Sequence, residues 1–246
     1  MNARTIGQIE GLKLAGTAVR DTLDTMIKAA EPGISTRELD VIGEQVLLRH
    51  GAVSAPQMYY DFPGATCISV NHDAAHGIPG EQVIQAGDMV NIDVSANLAG
   101  FVADMGRSFM VGEGSAEQHQ ICAAVEEAVW AAIKKVRSGR NLNVIGQAVQ
   151  QVADRYGYTI VRNLGSHGVG ESIHEEPSYI PFDNPQEERK LTRGMVLTIE
   201  PFFTTDVDWV YEQEDGWTLS VPEDCLVAQY EHTLIVTDKE AIVVTA

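Results

Sequence analysis

Nothing in the sequence is long and apolar enough to cross a bilayer, which takes about 18 consecutive apolar residues. The start, Met1-Asn2-Ala3-Arg4, carries no apolar stretch of a secretory signal, so a cytoplasmic location is expected. Cysteine is scarce and odd in number: Cys67, Cys122 and Cys225 stand far apart, which argues for reduced thiols. Basic charge is also short, with 17 Lys and Arg against 35 Asp and Glu, a net charge of −18. Nucleic acid and anionic membrane both need a basic face, so neither is an expected direct partner. Several site signatures are missing, namely H-E-x-x-H, G-x-S-x-G, the phosphate-binding G-x-x-x-x-G-K-[S/T] and C-x-x-C. The glycines at Gly165, Gly168 and Gly170 do not fall in a G-x-G-x-x-G pattern, which weakens a dinucleotide reading.

What is present is an ordinary globular composition, 44% hydrophobic and 21% charged, with no low-complexity or proline-rich linker. Residues 1–246 read as one folded domain with an internal duplication. Gln45-Val46-Leu47-Leu48-Arg49-His50-Gly51 and Gln151-Val152-Ala153-Asp154-Arg155-Tyr156-Gly157 share Q-V-x-x-R-x-G. In both, the last glycine lies 18 positions after an earlier one, Gly33 or Gly139. Gly87-Asp88-Met89-Val90-Asn91-Ile92-Asp93 and Gly194-Met195-Val196-Leu197-Thr198-Ile199-Glu200 each run from a glycine to a carboxylate. Either match alone is at chance level, but their offsets of 106 and 107 positions agree. Two related α/β halves follow, roughly residues 5–110 and 115–240, about a pseudo-twofold axis.

Apolar positions recur at helical spacing over residues 6–30, and Ser35-Thr36-Arg37-Glu38 is a capping box opening a helix that Gly51 closes. Ile121, Val125, Ala128, Val129, Ala132, Ile133 and Val136 form one helical face. Asn141 or Asn143 opens another helix, with Gly157 as its C-cap. Strands rich in Val and Ile are expected at 65–70, 88–95, 101–111, 159–163, 195–203 and 226–237. The class is α+β.

Asp93 and Asp104 flank a turn in Asn97-Leu98-Ala99-Gly100. With the turn centred between Leu98 and Ala99, they stand directly opposite, Cβ atoms about 4.5–5.5 Å apart. Val90, Ile92, Val94, Phe101 and Val102 favour a buried setting over an exposed edge pair. Buried carboxylates that close repel, so either they share a proton or a cation lies between them. Glu200 ends Leu197-Thr198-Ile199, and Glu231 sits within Ala228–Val236, both acids in apolar strands; each alone reads as well as a salt-bridged structural acid. Four carboxylates in one dry place ionise only if about two divalent cations neutralise them. Histidines add to the set. Ser166-His167-Gly168-Val169-Gly170-Glu171-Ser172-Ile173-His174-Glu175-Glu176-Pro177 carries two, and His76-Gly77-Ile78-Pro79 shares His-x-x-Pro with His174. A lone histidine beside glycine is more often a loop residue. His50, His72 and His119 lack a motif, and His232 should point to the strand face opposite Glu231.

The ordered set His76, Asp93, Asp104, His167, His174, Glu200, Glu231 resembles that of the methionine aminopeptidases of the pita-bread metallopeptidase superfamily. The likeness spans essentially the whole chain, through Phe62-Pro63, Cys67-Ile68-Ser69, His76-Gly77-Ile78-Pro79, Asn91-Ile92-Asp93-Val94, His174-Glu175-Glu176-Pro177, Thr198-Ile199-Glu200-Pro201 and Gln229-Tyr230-Glu231-His232-Thr233. It implies a pita-bread fold with a curved antiparallel sheet, and a compact bacterial-type (type I) enzyme, since Glu200 and Glu231 stand too close in sequence for a helical insertion. It implies that Asp93, Asp104, His167, Glu200 and Glu231 hold two divalent ions (Mn, Fe(II), Co or Zn), Asp104 and Glu231 bridging. A bridging hydroxide would attack the scissile carbonyl, with Glu200 shuttling its proton, His174 stabilising the oxyanion and His76 near the leaving group. Tyr59, Phe62, Cys67, Ile173 and Trp217, with His76 and His174, would line the methionine pocket. The implied partner is the N-terminal methionine of nascent polypeptides with a small second residue, acted on by a monomer; ribosome association stays open. Two positions depart from the family's pattern: Ser166 stands where many members have glycine, and Ile173 where many have an aromatic residue. The rival readings are a proline-specific peptidase of the same fold and a non-catalytic binding protein on it.

Overall fold

The helices open at side-chain caps. In the computed structural model, which describes residues 1–246, α1 (Ile6–Ala29) starts at a Thr5–Gln8 capping box. α2 (Thr36–His50) opens at the Ser35–Glu38 box and stops at Gly51, a left-handed cap with φ 72°. α3 (Ala55–Tyr60), which periodicity did not reveal, is one short piece with Pro56 in its first turn. α4 (Ala116–Ile133) has a third box, Ser115 with Gln118. α5 (Val144–Tyr156) follows Asn143 and closes at Gly157, yet the Asn143 side chain does not cap it. That amide instead donates to Asp183 at 2.8 Å and accepts from the Asn184 backbone at 2.8 Å, tying down a loop.

Strand pairing is antiparallel in every sheet, and the hairpin of Met89–Leu98 with Phe101–Met110 is its longest element. Ala99 and Gly100 form its turn, both at positive φ (53° and 89°), in the two-residue geometry that suits strand twist. The centre therefore falls one residue later than between Leu98 and Ala99. Asp93 faces Gly106 and Asp104 faces Ser95, so the aspartates are diagonal neighbours and not direct partners. Moving the centre by one residue moves the register by two, and both side chains stay on one face.

The other edge of Met89–Leu98 carries Val53–Ser54 and Cys67–Val70, which sets Cys67 opposite Asp93. Farther along, the strand expected at 195–203 is broken at Glu200-Pro201 into Val196–Ile199 and Phe202–Thr204. The run at 226–237 is broken at Tyr230-Glu231 into Val227–Gln229 and His232–Ile235. Each pair of pieces contributes to two sheets, Val196–Ile199 with His232–Ile235 and Phe202–Thr204 with Val227–Gln229. Pro201 has no amide to continue a ladder, which accounts for the first break.

Phe101–Met110 then meets these later strands along a seam. Arg107 bridges Tyr230, and the Glu231 amide donates to the Gly106 carbonyl at 2.9 Å. The Asp104 amide donates to Thr233 Oγ1 at 2.9 Å, and that hydroxyl donates back to the Asp104 carbonyl at 2.8 Å. On one side of the seam α1 and α2 bury Leu12, Leu23, Leu39, Ile92 and Val102; on the other α4 and α5 bury Ile121, Val129, Ile145, Leu197 and Phe203. Each such side chain contributes about 1.5–3 kcal/mol, so the apolar flanks hold together a polar seam that would not form unaided. No helix is long and apolar enough to cross a membrane.

Candidate metal centre and cavity

Strand parity and the seam bring four carboxylates and one imidazole to a single point. Asp93 and Asp104 rise from one face of the hairpin, and Glu231 enters from the break between Val227–Gln229 and His232–Ile235. Glu200 follows Val196–Ile199, while His167 lies on the adjoining strand Ser166–Gly168. Donor atoms of Asp104, His167 and Glu231 all lie within 4.8 Å of one another, and all three residues are buried. His167 Nε2 is 3.1 Å from Glu200 Oε1 and 3.9 Å from Asp104 Oδ2.

Neighbouring side chains aim these groups. Ser95, facing Asp104 across the hairpin, donates to it at 2.8 Å, and Thr198 donates to Glu200 at 2.7 Å. The Gln229 amide nitrogen reaches Glu231 at 3.2 Å and Asp93 at 3.4 Å, while its oxygen accepts from Asn91 at 2.8 Å. Gly106 permits this, since a Cβ there would stand 2.2 Å from the Gln229 oxygen. Ser166, one of the departures from the family pattern, accepts from the Glu200 amide at 3.2 Å.

Charge is unbalanced at this point. Burial, then the Glu200 charge, pushes Asp93 up; burial and the charges of Asp93 and Glu200 push Asp104 well up. Burial, with Asp104 and Glu200 next, does the same to Glu231. Burial pulls His167 down, but Glu200, the Gly168 carbonyl and the Asp93 charge together outweigh it and the ring ends above its usual value. Glu231 Oε1 has no hydrogen-bond partner although it is fully buried. An interior carboxylate oxygen left unpaired is costly, and a divalent ion is the partner that fits an oxygen-rich set with a single histidine. The residues present therefore suit metal ions. His167 Nδ1 lies 2.9 Å from the Gly168 carbonyl, which only accepts, so a proton sits on Nδ1 and Nε2 is the nitrogen that would be free for an ion.

Above the acids opens a cavity of about 300 Å³ lined by Tyr60, Phe62, Cys67, Ile173, His174 and Trp217, with His76, Asp93, Asp104, His167 and Glu200 at its base. Phe62 meets Trp217 edge-on at 5.2 Å. Beside it a more open cleft of about 520 Å³ shares His76, Asp93, His167, His174 and Glu200, and extends past Leu164, Ser178 and Phe202. His76 adopts left-handed backbone (φ 54°), uncommon outside glycine. His174 packs edge-on to His167, centroids 4.3 Å apart, and desolvation followed by the His167 charge pushes it down to about 4.

One expected wall residue is elsewhere. Tyr59 does not line the cavity; its hydroxyl donates to the Glu171 carbonyl at 2.9 Å and accepts from Asn97. Successive helical residues point about 100° apart, and on α3 it is Tyr60, 44% exposed, that borders the cavity while Tyr59 packs against the core. Its hydroxyl stands 2.6 Å from His174 Nδ1. Sequence reasoning missed Tyr60 for want of α3, and missed Gln229 although it lies two positions before Glu231 on the same strand face. His232, as expected, turns away from the acids, against Trp130 and Thr245.

Comparison with known proteins adds to this geometry. A model of metallopeptidase family M24 matches residues 10–238. Methionine aminopeptidase 2 of Bacillus subtilis is 44% identical over 244 residues, 97% of this chain and 96% of its own. The crystal structure of a methionine aminopeptidase from Rickettsia prowazekii has a TM-score of 0.95 at 31% identity and covers 100% of both chains. A prolidase from Pyrococcus furiosus gives a TM-score of 0.79 at 25% identity over 99% of this chain but only 65% of its own. The pita-bread architecture is thus shared with proline-specific enzymes, while the full-length match is to the methionine-specific ones.

Proposed function

Since the chain belongs to metallopeptidase family M24, a family that uses divalent metal, we propose that it removes the N-terminal methionine of nascent proteins and peptides, preferring a small second residue. The observation that carries this reading is the joint placement of the acid cluster at the base of a 300 Å³ aromatic-walled cavity, room for one extended apolar side chain. Two divalent ions would be held by Asp93, Asp104, His167, Glu200 and Glu231; Mn, Fe(II), Co and Zn all suit the donors. When bound, such ions supply Lewis acidity to the scissile carbonyl and lower the pKa of water.

The chain's own side chains do the rest. Phe62, Cys67, Ile173 and Trp217 exclude water and fix the methionine side chain, which places the scissile carbonyl over the acids. Glu200 takes the proton of the attacking water and passes it to the departing amine. His174 donates to the carbonyl oxygen as it gains charge, and His76, at the junction of cavity and cleft, contacts the leaving amide. The adjacent cleft receives the rest of the peptide. Three free cysteines fit a reducing cytoplasm as the working compartment.

Metal-depleted protein should release methionine from Met-Ala-Ser only after Mn(II) or Co(II) is added, and should leave Ala-Pro-Ala intact. Release of alanine from Ala-Pro-Ala would move the chain to the proline-specific branch. Cleavage of neither peptide, with metal bound, would favour a binding protein.

A further inference from the structure

His167 and His174 stand ring against ring at 4.3 Å, yet their Nδ1 atoms face opposite kinds of partner. His167 Nδ1 lies 2.9 Å from the Gly168 carbonyl, which can only accept, so this nitrogen carries the proton. His174 Nδ1 lies 2.6 Å from the Tyr60 hydroxyl. A phenol is a stronger acid than a neutral imidazole N–H, and imidazole nitrogen is a stronger base than phenol oxygen. The hydrogen bond therefore runs from the Tyr60 O–H to Nδ1. His174 is the one hydrogen-bond partner of that hydroxyl.

We propose that Tyr60 is a positioning residue that locks His174 in the tautomer with its proton on Nε2, opposite to that of His167. The consequence is a division of labour between two adjacent rings. His167, its Nδ1 proton held by the Gly168 carbonyl, leaves Nε2 as the nitrogen that would bind an ion in place of its contact with Glu200. His174 presents an N–H to the cavity, as a donor to a developing oxyanion must. In the other tautomer, His174 would turn a lone pair toward that charge and repel it. Residue 60 achieves this because α3 places it, and not Tyr59, against the cavity. The inference deepens the proposed reaction and rests on it for its catalytic meaning, though not for its chemistry.

The test uses Tyr60→Phe, His174→Ala and the double variant, assayed on Met-Ala-Ser with Mn(II). Tyr60→Phe should lower kcat ~10-fold with little change in KM, a fraction of what losing an oxyanion donor costs. On the His174→Ala background it should cost nothing further, because Tyr60 acts through that ring. Unchanged kcat in Tyr60→Phe, or an equal loss with and without His174, would overturn the proposal. Nitrogen NMR of histidine-labelled, zinc-loaded protein reads the tautomer directly. An unprotonated His174 Nδ1 that becomes mixed in Tyr60→Phe supports it, and a protonated Nδ1 in the native chain refutes it. This second readout decides the tautomer even if the native chain releases no methionine, an outcome that would fall on the functional reading alone.

Discussion

At the base of the cavity, Asp93, Asp104, Glu200, Glu231 and His167 stand on or directly beside antiparallel strands tied across a common seam. Its wall is built differently, from a six-residue helix carrying Tyr60, a loop carrying Phe62, the turn before Glu175 carrying Ile173, and the segment after Asp215 carrying Trp217. Strand pairing fixes the face a residue takes by parity, so the base survives a register error of two residues. A wall of short pieces depends on local caps: Asp40 accepts from the amides of Ala65 and Thr66, and Asp215 from those of Trp217 and Thr218. The base also carries unbalanced charge, whereas the wall is apolar. Disturbing the base should therefore change chemistry and electrostatics, and disturbing the wall should change selectivity.

The largest effect should come from Asp104→Asn, which keeps shape and removes one carboxylate of the cluster. Transition-state stabilisation by the ions is worth several kcal/mol, so turnover of Met-Ala-Ser should fall ~10³-fold while circular dichroism stays native. Full activity in this variant would mean that the base is not the reacting centre.

A second effect separates base from wall without any substrate. In the ion-free chain Asp104 and Glu231 are pushed well up, by burial first and by neighbouring carboxylates next. The folded state then holds protons that the unfolded state releases. Their stabilising contribution is complete below the ordinary carboxylate pKa of about 4 and is lost as pH rises through the raised folded values. His174 and His232, both pushed down to about 4 by burial first, act with the opposite sign between that pH and their unfolded pKa, which masks the slope in the native chain. Comparison with Asp104→Asn cancels His174 and His232, whose shifts do not arise from Asp104. In EDTA, the Tm of the variant should exceed that of the native chain by a margin that grows with pH, and added Mn(II) should reverse the order. A margin that is flat or shrinks with pH would show that Asp104 is ionised and paired by other means.

The same contrast explains what could be read in advance. Asp93 and Asp104 were placed on one face despite a turn mis-centred by one residue, because a two-residue shift of register preserves parity. Glu200 and Glu231 stood out as acids in apolar strands, although the breaks they occupy, at Pro201 and Tyr230, were not foreseen as strand ends. The helices announced themselves at Ser35, Gly51 and Gly157, where the cap is a property of one or two residues. The wall was legible only through family likeness, and that likeness did not supply Tyr60. Which of two adjacent tyrosines borders the cavity depends on the rotation of α3, a helix too short to show a period. Gln229 was within reach, since residues two apart on a strand share a face, but a lone glutamine carries no signature.

The smallest effect should follow from Ile173→Phe, on the wall. Ile173 is 4% exposed and packs into the apolar cluster beneath α1 as well as lining the cavity. A larger ring must push into the 300 Å³ space or strain the cluster behind it, and overpacking costs about 1–3 kcal/mol. Pocket contacts of one methylene discriminate by about 10-fold or more. The ratio of kcat/KM for Met-Ala-Ser over the norvaline-first analogue should thus drop ~10-fold, because the longer side chain meets the ring first. Bound metal, measured by elemental analysis, should not change. Selectivity held constant with metal lost would reverse the assignment, joining Ile173 to the base through its neighbour His174 and erasing the division between charge and shape.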